Sequence, residues 1–380
     1  MSDKSKNIFY FTFGESMSGV FQSQVIDVLQ SIRNSSEGVQ VQLYSIISPR
    51  NFIAEKRRIR ESEPSAIVLP SVAPLRFFYL NKIWGTLINS LHKNGTVFSR
   101  GPLATYIALS SLKKFKIIYD GRGAVVAEQE EYGVYSNSGL ENDLENLERK
   151  AVFESDFRIA VSQKLVDYWK ERYNYKGNNY VVIPCTVSKK TEDLNIPHNL
   201  DKFLSVNHLN RIFTFAGGNS KWQGIEKLAE FLRIQFEKFP DTRAVLLTSE
   251  NELLKELKER YPNRIIITEV LPQQVISVLS KCDYGVLFRE IKITNQVASP
   301  VKIAEYLQAG LKVLISPEIG DYSEIIFKNN LGYIISSRKD YEQTFEKPNL
   351  SSKKEVKDFC SANYSKNSNL ILEKYLRLLQ

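Results

Sequence analysis

Two side chains of opposite charge, Lys302 and Glu305, stand three residues apart in the stretch NQVASPVKIAEYLQAGLKVLIS, Asn295–Ser316. On a helix this spacing sends both from one face. Ser299 fits an N-cap, and Pro300 the first helical position, where a missing N–H costs nothing. Gly310 falls where a helix ends in a left-handed residue, and LKVLIS reads as a buried parallel strand. A helix opening after a strand at Tyr284–Phe288 points its free N–H groups beyond the end of a sheet, which makes an anion site. Lys302 in the first turn opposes the helix dipole unless an anion is bound there. An anion site, a cation and a carboxylate able to take hydroxyls suit a nucleoside diphosphate. The alternative is a plain βαβ unit with a surface Lys–Glu pair.

Other candidates sit where predicted strands run into loops. Arg289 leaves the strand just before this helix, well placed for phosphate. Upstream, FAGGNSKWQG follows a predicted strand, Arg211–Ala216. Its Gly217 and Gly218 let backbone amides close on phosphate oxygens, and Lys221 supplies a cation. Near the N-terminus a strand, Asn7–Phe13, ends in GESMSG, with Gly14, Ser18 and Gly19. Thr96–Ser99 leads into Arg100-Gly101-Pro102. Lys116–Tyr119 leads into Asp120-Gly121-Arg122-Gly123, where two glycines around a charged pair let backbone approach a ligand. Each of these loops also has a plainer reading, a tight turn or a turn-fixing ion pair. Glu128 follows on a polar run, Glu128–Lys150.

The elements that must position these residues alternate strand and helix along both halves of the chain, the pattern of doubly wound α/β domains, whose sheets bind ligands at the carboxyl ends of strands. A polar stretch after Ile183, running to about Ser205, marks the boundary. The expected organisation is an N-terminal Rossmann-like domain over 1–190, a C-terminal one over 206–350, and terminal helices over 351–380.

Ser-Pro-x-Lys-x-x-Glu-Tyr-Leu-x-x-Gly, at Ser299 to Gly310, resembles the donor-binding helix of the retaining family 4 glycosyltransferases, which have the GT-B fold. That family usually shows two glutamates eight apart. The second, a ribose contact, matches Glu305; the first, a donor-sugar contact, falls on Val297 here. Lys302 and Lys312 stand where the commoner pattern has proline. FAGGNSKWQG is similar to the family's phosphate loop, with Asn219 nearest the usual arginine. The resemblance implies two Rossmann-like domains facing a central cleft, with the 351–380 helices crossing back to the first. It implies transfer of a sugar from a nucleotide-sugar donor to a glycan or lipid-linked acceptor, with retention. Donor binding would fall to Gly14, Gly217, Gly218, Lys221, Arg289, Ser299, Lys302 and Glu305, with Val270 and Leu271 taking the base through backbone groups. Ser18, Gly19, Arg100, Gly121, Gly123 and Glu128 would lie on the acceptor side. Asp120, Arg122, Lys221 and Arg289 are the catalytic candidates. A nucleotide-sugar 2-epimerase of the same fold and a non-catalytic sugar-nucleotide-binding protein are the alternatives.

The 380 residues allow two domains with full cores. Hydrophobic content of 43% and charged content of 25% fit a globular chain. Three cysteines without a CxxC read as reduced thiols, and a cytoplasmic location is expected. The three histidines have no metal-ligand spacing and no Asp-x-Asp occurs, so neither metal nor cofactor is expected. The net charge of +8 is spread without a stacking module, so nucleic acid is not an expected partner. The stretch Leu75–Leu91 mixes aromatic, aliphatic and basic residues. It reads either as a core helix or as an interfacial helix making peripheral contact with the inner face of a membrane.

Overall fold

The computed structural model describes residues 6–35, 38–188, 194–205, 211–218 and 221–378. The chain divides into two units, Met1–Ser188 with Lys366–Gln380, and Lys189–Ser365.

The first unit holds a parallel sheet of β1 (Lys6–Phe13), β2 (Val39–Ile47), β3 (Ile67–Pro70), β4 (Thr96–Arg100), β5 (Lys116–Gly121), β6 (Phe157–Ala160) and β7 (Tyr180–Val182). Their order is β3-β2-β1-β4-β5-β6-β7. Strands rich in Ile, Val and Phe run almost continuously apolar because helices cover both faces. Ile8, Tyr10, Phe98 and Ile118 bury on one side, and Phe9, Phe11, Val97 and Ile117 on the other.

The second unit repeats the plan with β8 (Arg211–Ala216), β9 (Thr242–Leu247), β10 (Ile265–Thr268), β11 (Tyr284–Leu287), β12 (Lys312–Ile315) and β13 (Gly332–Ile334). The order is β10-β9-β8-β11-β12-β13, all parallel. In each sheet the first strand lies between the second and the fourth. Successive connections therefore leave in opposite directions from it, and a crevice opens beyond the carboxyl ends of β1 and β4, and of β8 and β11.

Several local readings are revised. Helix Val301–Gln308 is capped at Pro300, not Ser299, and no side chain closes the cap. A short helix, Ile293–Gln296, intervenes between it and β11. Gly310 has the left-handed φ expected, +80°. The helix after the first loop spans Gly19 to Ser35 with a π-helical turn at Gln22–Ile26. The stretch read as a linker carries a helix, His198–Ser205. The C-terminal segment is two helices: Leu350–Tyr364 lies in the second unit and packs on Val301–Gln308, while Asn369–Arg377 lies in the first.

Candidate functional site

In the second unit, helix Val301–Gln308 is fixed to the sheet by Tyr306. Its ring fills the space left by Gly285, where a Cβ would come within 2.3 Å of it. Its hydroxyl accepts the Ala216 N–H at 3.0 Å. Lys302, one turn earlier, thereby lies over the end of β8. Its Nζ donates to Gln223 Oε1 at 3.0 Å and lies 4.9 Å from the centre of the Phe215 ring. Gly217 makes the room: a Cβ there would stand 1.7 Å from Nζ. Burial, then the nearby Arg289 charge, lower the Lys302 pKa to about 7, with Glu305 working the other way.

Arg289 follows the end of β11 and is 7% exposed. Its N–H donates to Ser316 Oγ at 2.9 Å and its guanidinium to Asn295 Oδ1 at 3.3 Å. Asn295 in turn donates to the Glu290 carbonyl. Gly224 is left-handed and so close to the Phe288 carbonyl that a Cβ would sit 2.1 Å from that oxygen. This contact brings the 3-10 turn Lys221–Gln223, with Gln223, under Lys302. Thus the carboxyl ends of β8 and β11 gather Gly217, Gln223, Arg289, Lys302 and Glu305.

Not every expected group is available in the same way. The Gly217 amide is used on the Leu247 carbonyl of β9, at 3.0 Å, while among the described residues no non-neighbouring heavy atom lies within 4 Å of where a Gly218 Cβ would be. The Leu271 amide donates to Gln274 Oε1 and its carbonyl accepts from the Gln274 amide, so both backbone groups serve their own turn. The Val270 side chain is half-buried. The Val297 side chain is 3% exposed. Asn219 and the Lys221 side chain lie outside the described residues.

In the first unit, the ends of β1, β4 and β5 gather a second charged group. Asp120, expected in a loop, lies within β5 and is 0% exposed. It accepts from the Tyr10 hydroxyl, pairs with the Arg122 guanidinium at 2.8 Å, and lies 3.7 Å from Arg100. Arg100 donates to both Glu15 oxygens, at 2.9 and 3.0 Å. Burial, then the Asp120 charge, push the Tyr10 phenol well up, so it remains a donor. Glu15, in the first loop, was not among the predicted residues; the acidic member of GESMSG was the available signal.

The two glycines beside Arg122 serve the protein itself. A Cβ on Gly121 would meet the Trp169 ring at 2.7 Å, and one on Gly123 would meet Glu128 Oε1 at 2.5 Å. Packing alone therefore accounts for a glycine at both positions. Glu128 is half-buried near Glu148; burial, then the Glu148 charge, raise its pKa to about 7. Burial raises Glu148 as well, against hydrogen bonds from Tyr173, the Val125 N–H and Tyr168. Ser18 is the N-cap of the helix opening at Gly19, accepting the Phe21 N–H at 3.1 Å. Gly14 is left-handed, φ +76°, with open space where a Cβ would be.

No protein-family model and no curated protein matches the chain in sequence. Solved structures match it over nearly its whole length. Sucrose-phosphate synthase from Thermosynechococcus elongatus superposes with a TM-score of 0.69 at 13% identity, covering 98% of both chains. Anabaena Alr3699/HepE, solved in complex with UDP, gives 0.69 at 14% identity, covering 98% of this chain and 99% of that one. The chain has the GT-B fold. A Listeria monocytogenes protein assigned as a UDP-N-acetylglucosamine 2-epimerase also matches, with a TM-score of 0.60 at 12% identity, covering 98% and 95%. The resemblance to family 4 glycosyltransferases is therefore upheld at the level of the fold.

Proposed function

We propose that this GT-B chain is a glycosyltransferase that moves a sugar from a nucleotide-sugar donor to a glycan or lipid-linked acceptor, with retention and without a metal. The observation that carries the reading is the pairing of two cations, Lys302 and Arg289, at the carboxyl ends of β8 and β11, with Glu305 on the Lys302 helix face. A nucleoside diphosphate matches these groups: phosphate oxygens suit the cations and ribose hydroxyls suit the carboxylate. That Alr3699/HepE, a protein of the same fold, was solved in complex with UDP supports a nucleotide ligand.

In this reading Lys302, Arg289, Lys221 and the N-terminus of helix Val301–Gln308 stabilise charge growing on the departing diphosphate. The first unit takes the acceptor near Arg100, Asp120, Arg122 and Glu128, with Gly14, Ser18 and Gly19 in its first loop. Contact with sugar hydroxyls by residue 297 is left out, because valine offers no polar atom.

The epimerase is the second reading, favoured by the likeness to the Listeria protein. The experiment presents purified protein with a panel of nucleotide sugars, and with glycan and lipid-linked acceptors, with and without chelator. Acceptor-dependent release of nucleoside diphosphate that survives the chelator supports transfer. Acceptor-independent conversion of one nucleotide sugar into its 2-epimer supports the alternative. Binding without either reaction assigns the chain as a sugar-nucleotide-binding protein.

A further inference from the structure

The stretch from Pro64 to Tyr119 contains seven lysines and arginines and no aspartate or glutamate. Because the chain holds 51 basic and 43 acidic residues, the remainder is nearly neutral, and this stretch accounts for seven of the eight net charges. Arg100 is buried against Glu15. Arg76, Lys82, Lys93, Lys113 and Lys114 are exposed.

The same stretch exposes apolar surface. It forms a 3-10 helix, Leu75–Asn81, running into an α-helix, Lys82–Leu91. Phe78, Asn81, Gly85 and Ile88 face inward. On another face Ile83, Leu87 and Leu91, four residues apart, are 59%, 45% and 64% exposed. Leu75, Phe77, Tyr79 and Leu80 are exposed just before them. Seven of the 21 exposed large apolar side chains among the described residues thus fall within 17 residues. Apolar side chains scattered singly need no partner, whereas a contiguous group does. The core-helix reading therefore holds for one face of this segment and fails for the other.

The surface is held firmly. Asn81 accepts from the Val72 N–H and donates to Ser71 Oγ and the Phe78 carbonyl. The Trp84 indole donates to the Pro70 carbonyl at 2.9 Å. Gly85 lets the helix close onto Ser111, where a Cβ would be 1.9 Å from Oγ. Across Pro70 lies an open groove of about 1080 Å³, lined by Phe52, Ile53, Arg57 and Arg58 of helix Phe52–Ser62. The inward Phe78 packs near Phe13, the last residue of β1, at 6.1 Å between ring centres.

We propose that the exposed face of Leu75–Leu91, with Arg76, Lys82, Lys93, Lys113 and Lys114 around it, seats the first unit on an anionic lipid bilayer. An apolar ridge on a segment that carries cations and no carboxylate fits a surface that is apolar beneath and negative on top. No helix among the described residues is long and apolar enough to cross a membrane, so the contact is peripheral. The proposal stands on this surface and does not require that the chain transfer sugars.

Co-sedimentation of the full chain with phosphatidylcholine vesicles, with and without phosphatidylglycerol, tests it. The full chain should bind the phosphatidylglycerol vesicles about tenfold more tightly or better, and less tightly as salt rises. Ile83→Ser with Leu87→Ser, and separately Arg76→Glu with Lys82→Glu, should each cost about tenfold or more. Because a substituted ridge could perturb folding, Leu87→Trp gives a second readout. The emission of that variant should shift to the blue on anionic vesicles and be quenched by brominated acyl chains. Equal binding to both vesicle types, retained binding in both double variants, or an emission of the Leu87→Trp variant unchanged by vesicles overturns the proposal. Loss of a concentration-dependent dimer in the Ile83→Ser/Leu87→Ser variant, without lipid binding by the parent, overturns it too and assigns the ridge to a second copy of the chain.

Discussion

The Lys302 ammonium occupies the space in which a side chain on residue 217 would begin, 1.7 Å from an ideal Cβ on Gly217. A glycine at the end of one strand thus decides where a cation from a helix far along the chain can rest. Gly217→Ala should leave the fold intact, because the atom that must move is the far end of a flexible side chain. It should push Lys302 off Gln223 and weaken nucleoside diphosphate binding by roughly tenfold, the scale of one charge-assisted hydrogen bond. Calorimetric titration with the melting temperature as control measures this. Unchanged affinity would mean that Lys302 does not reach the ligand from this position.

Lys302→Ala and Glu305→Ala should act on different parts of one ligand. Loss of the lysine should lower diphosphate affinity by about ten- to a hundredfold and leave the nucleoside nearly unaffected. Loss of Glu305 should weaken nucleoside and nucleoside diphosphate alike. A binding series of nucleoside, nucleoside diphosphate and two nucleotide sugars separates the two. Equal losses across the series for Lys302→Ala would show that it holds the helix and not the phosphate.

The lowered Lys302 pKa gives two pH dependences of opposite sense. A bound diphosphate favours the charged ammonium, so affinity should be greatest below pH 7 and fall as pH rises through about 7, by up to about tenfold per unit. Proton uptake on binding at pH 8, read by calorimetry in buffers of different ionisation enthalpy, checks this. In the unliganded protein the unfolded chain keeps this lysine charged up to its ordinary range. The stability penalty is therefore full below pH 7 and fades above it. Lys302→Met should raise the melting temperature at pH 7 while losing diphosphate. A variant no more stable than the parent would refute the burial argument.

Glu128 offers the converse case. Its native carboxyl is raised to about 7 against an ordinary 4.5, so the native state holds more protons between those values and stability falls as pH rises through that window. Glu128→Gln imitates the protonated form. It should raise the melting temperature at pH 8 by roughly 2–4 °C for each kcal/mol recovered, and leave it little changed below about pH 4.5. Equal effects at both pH values would point to packing against Gly123 in place of charge.

Asp120 is fully buried between Tyr10, Arg122 and Arg100, and this alters what its substitution is expected to do. Asp120→Asn leaves the Arg122 guanidinium buried without its anion and should cost about 3–5 kcal/mol of stability. Arg122→Ala should cost less, because the Tyr10 hydroxyl and Arg100 still face the carboxylate. Denaturant titration reads both. A stable Asp120→Asn protein that binds nucleotide normally but has lost turnover would instead place Asp120 in the chemistry.

The alternation of apolar strands and amphipathic helices was legible from the residues, because local periodicity records which face is buried. So was the helix at 301–308 with its left-handed Gly310, since a glycine with positive φ is a local requirement. The role of Lys302 was half legible: its conflict with the helix dipole pointed to an anion, and only packing showed that Gly217 gives it room and Gln223 a partner. Strand order was not written locally. It brings Arg100, Asp120 and Glu15 together from three segments, and likewise Arg289 and Lys302 beside Gly217, because the first strand of each sheet lies between its second and fourth. The glycines of Asp120-Gly121-Arg122-Gly123 also have a packing reason: a Cβ at them would meet Trp169 and Glu128, and a sequence cannot display which side chain arrives from elsewhere. The Leu75–Leu91 segment turned on the same point. Its apolar residues cover more of the helix than one buried face can absorb, and only tertiary packing decides which of them remain in water.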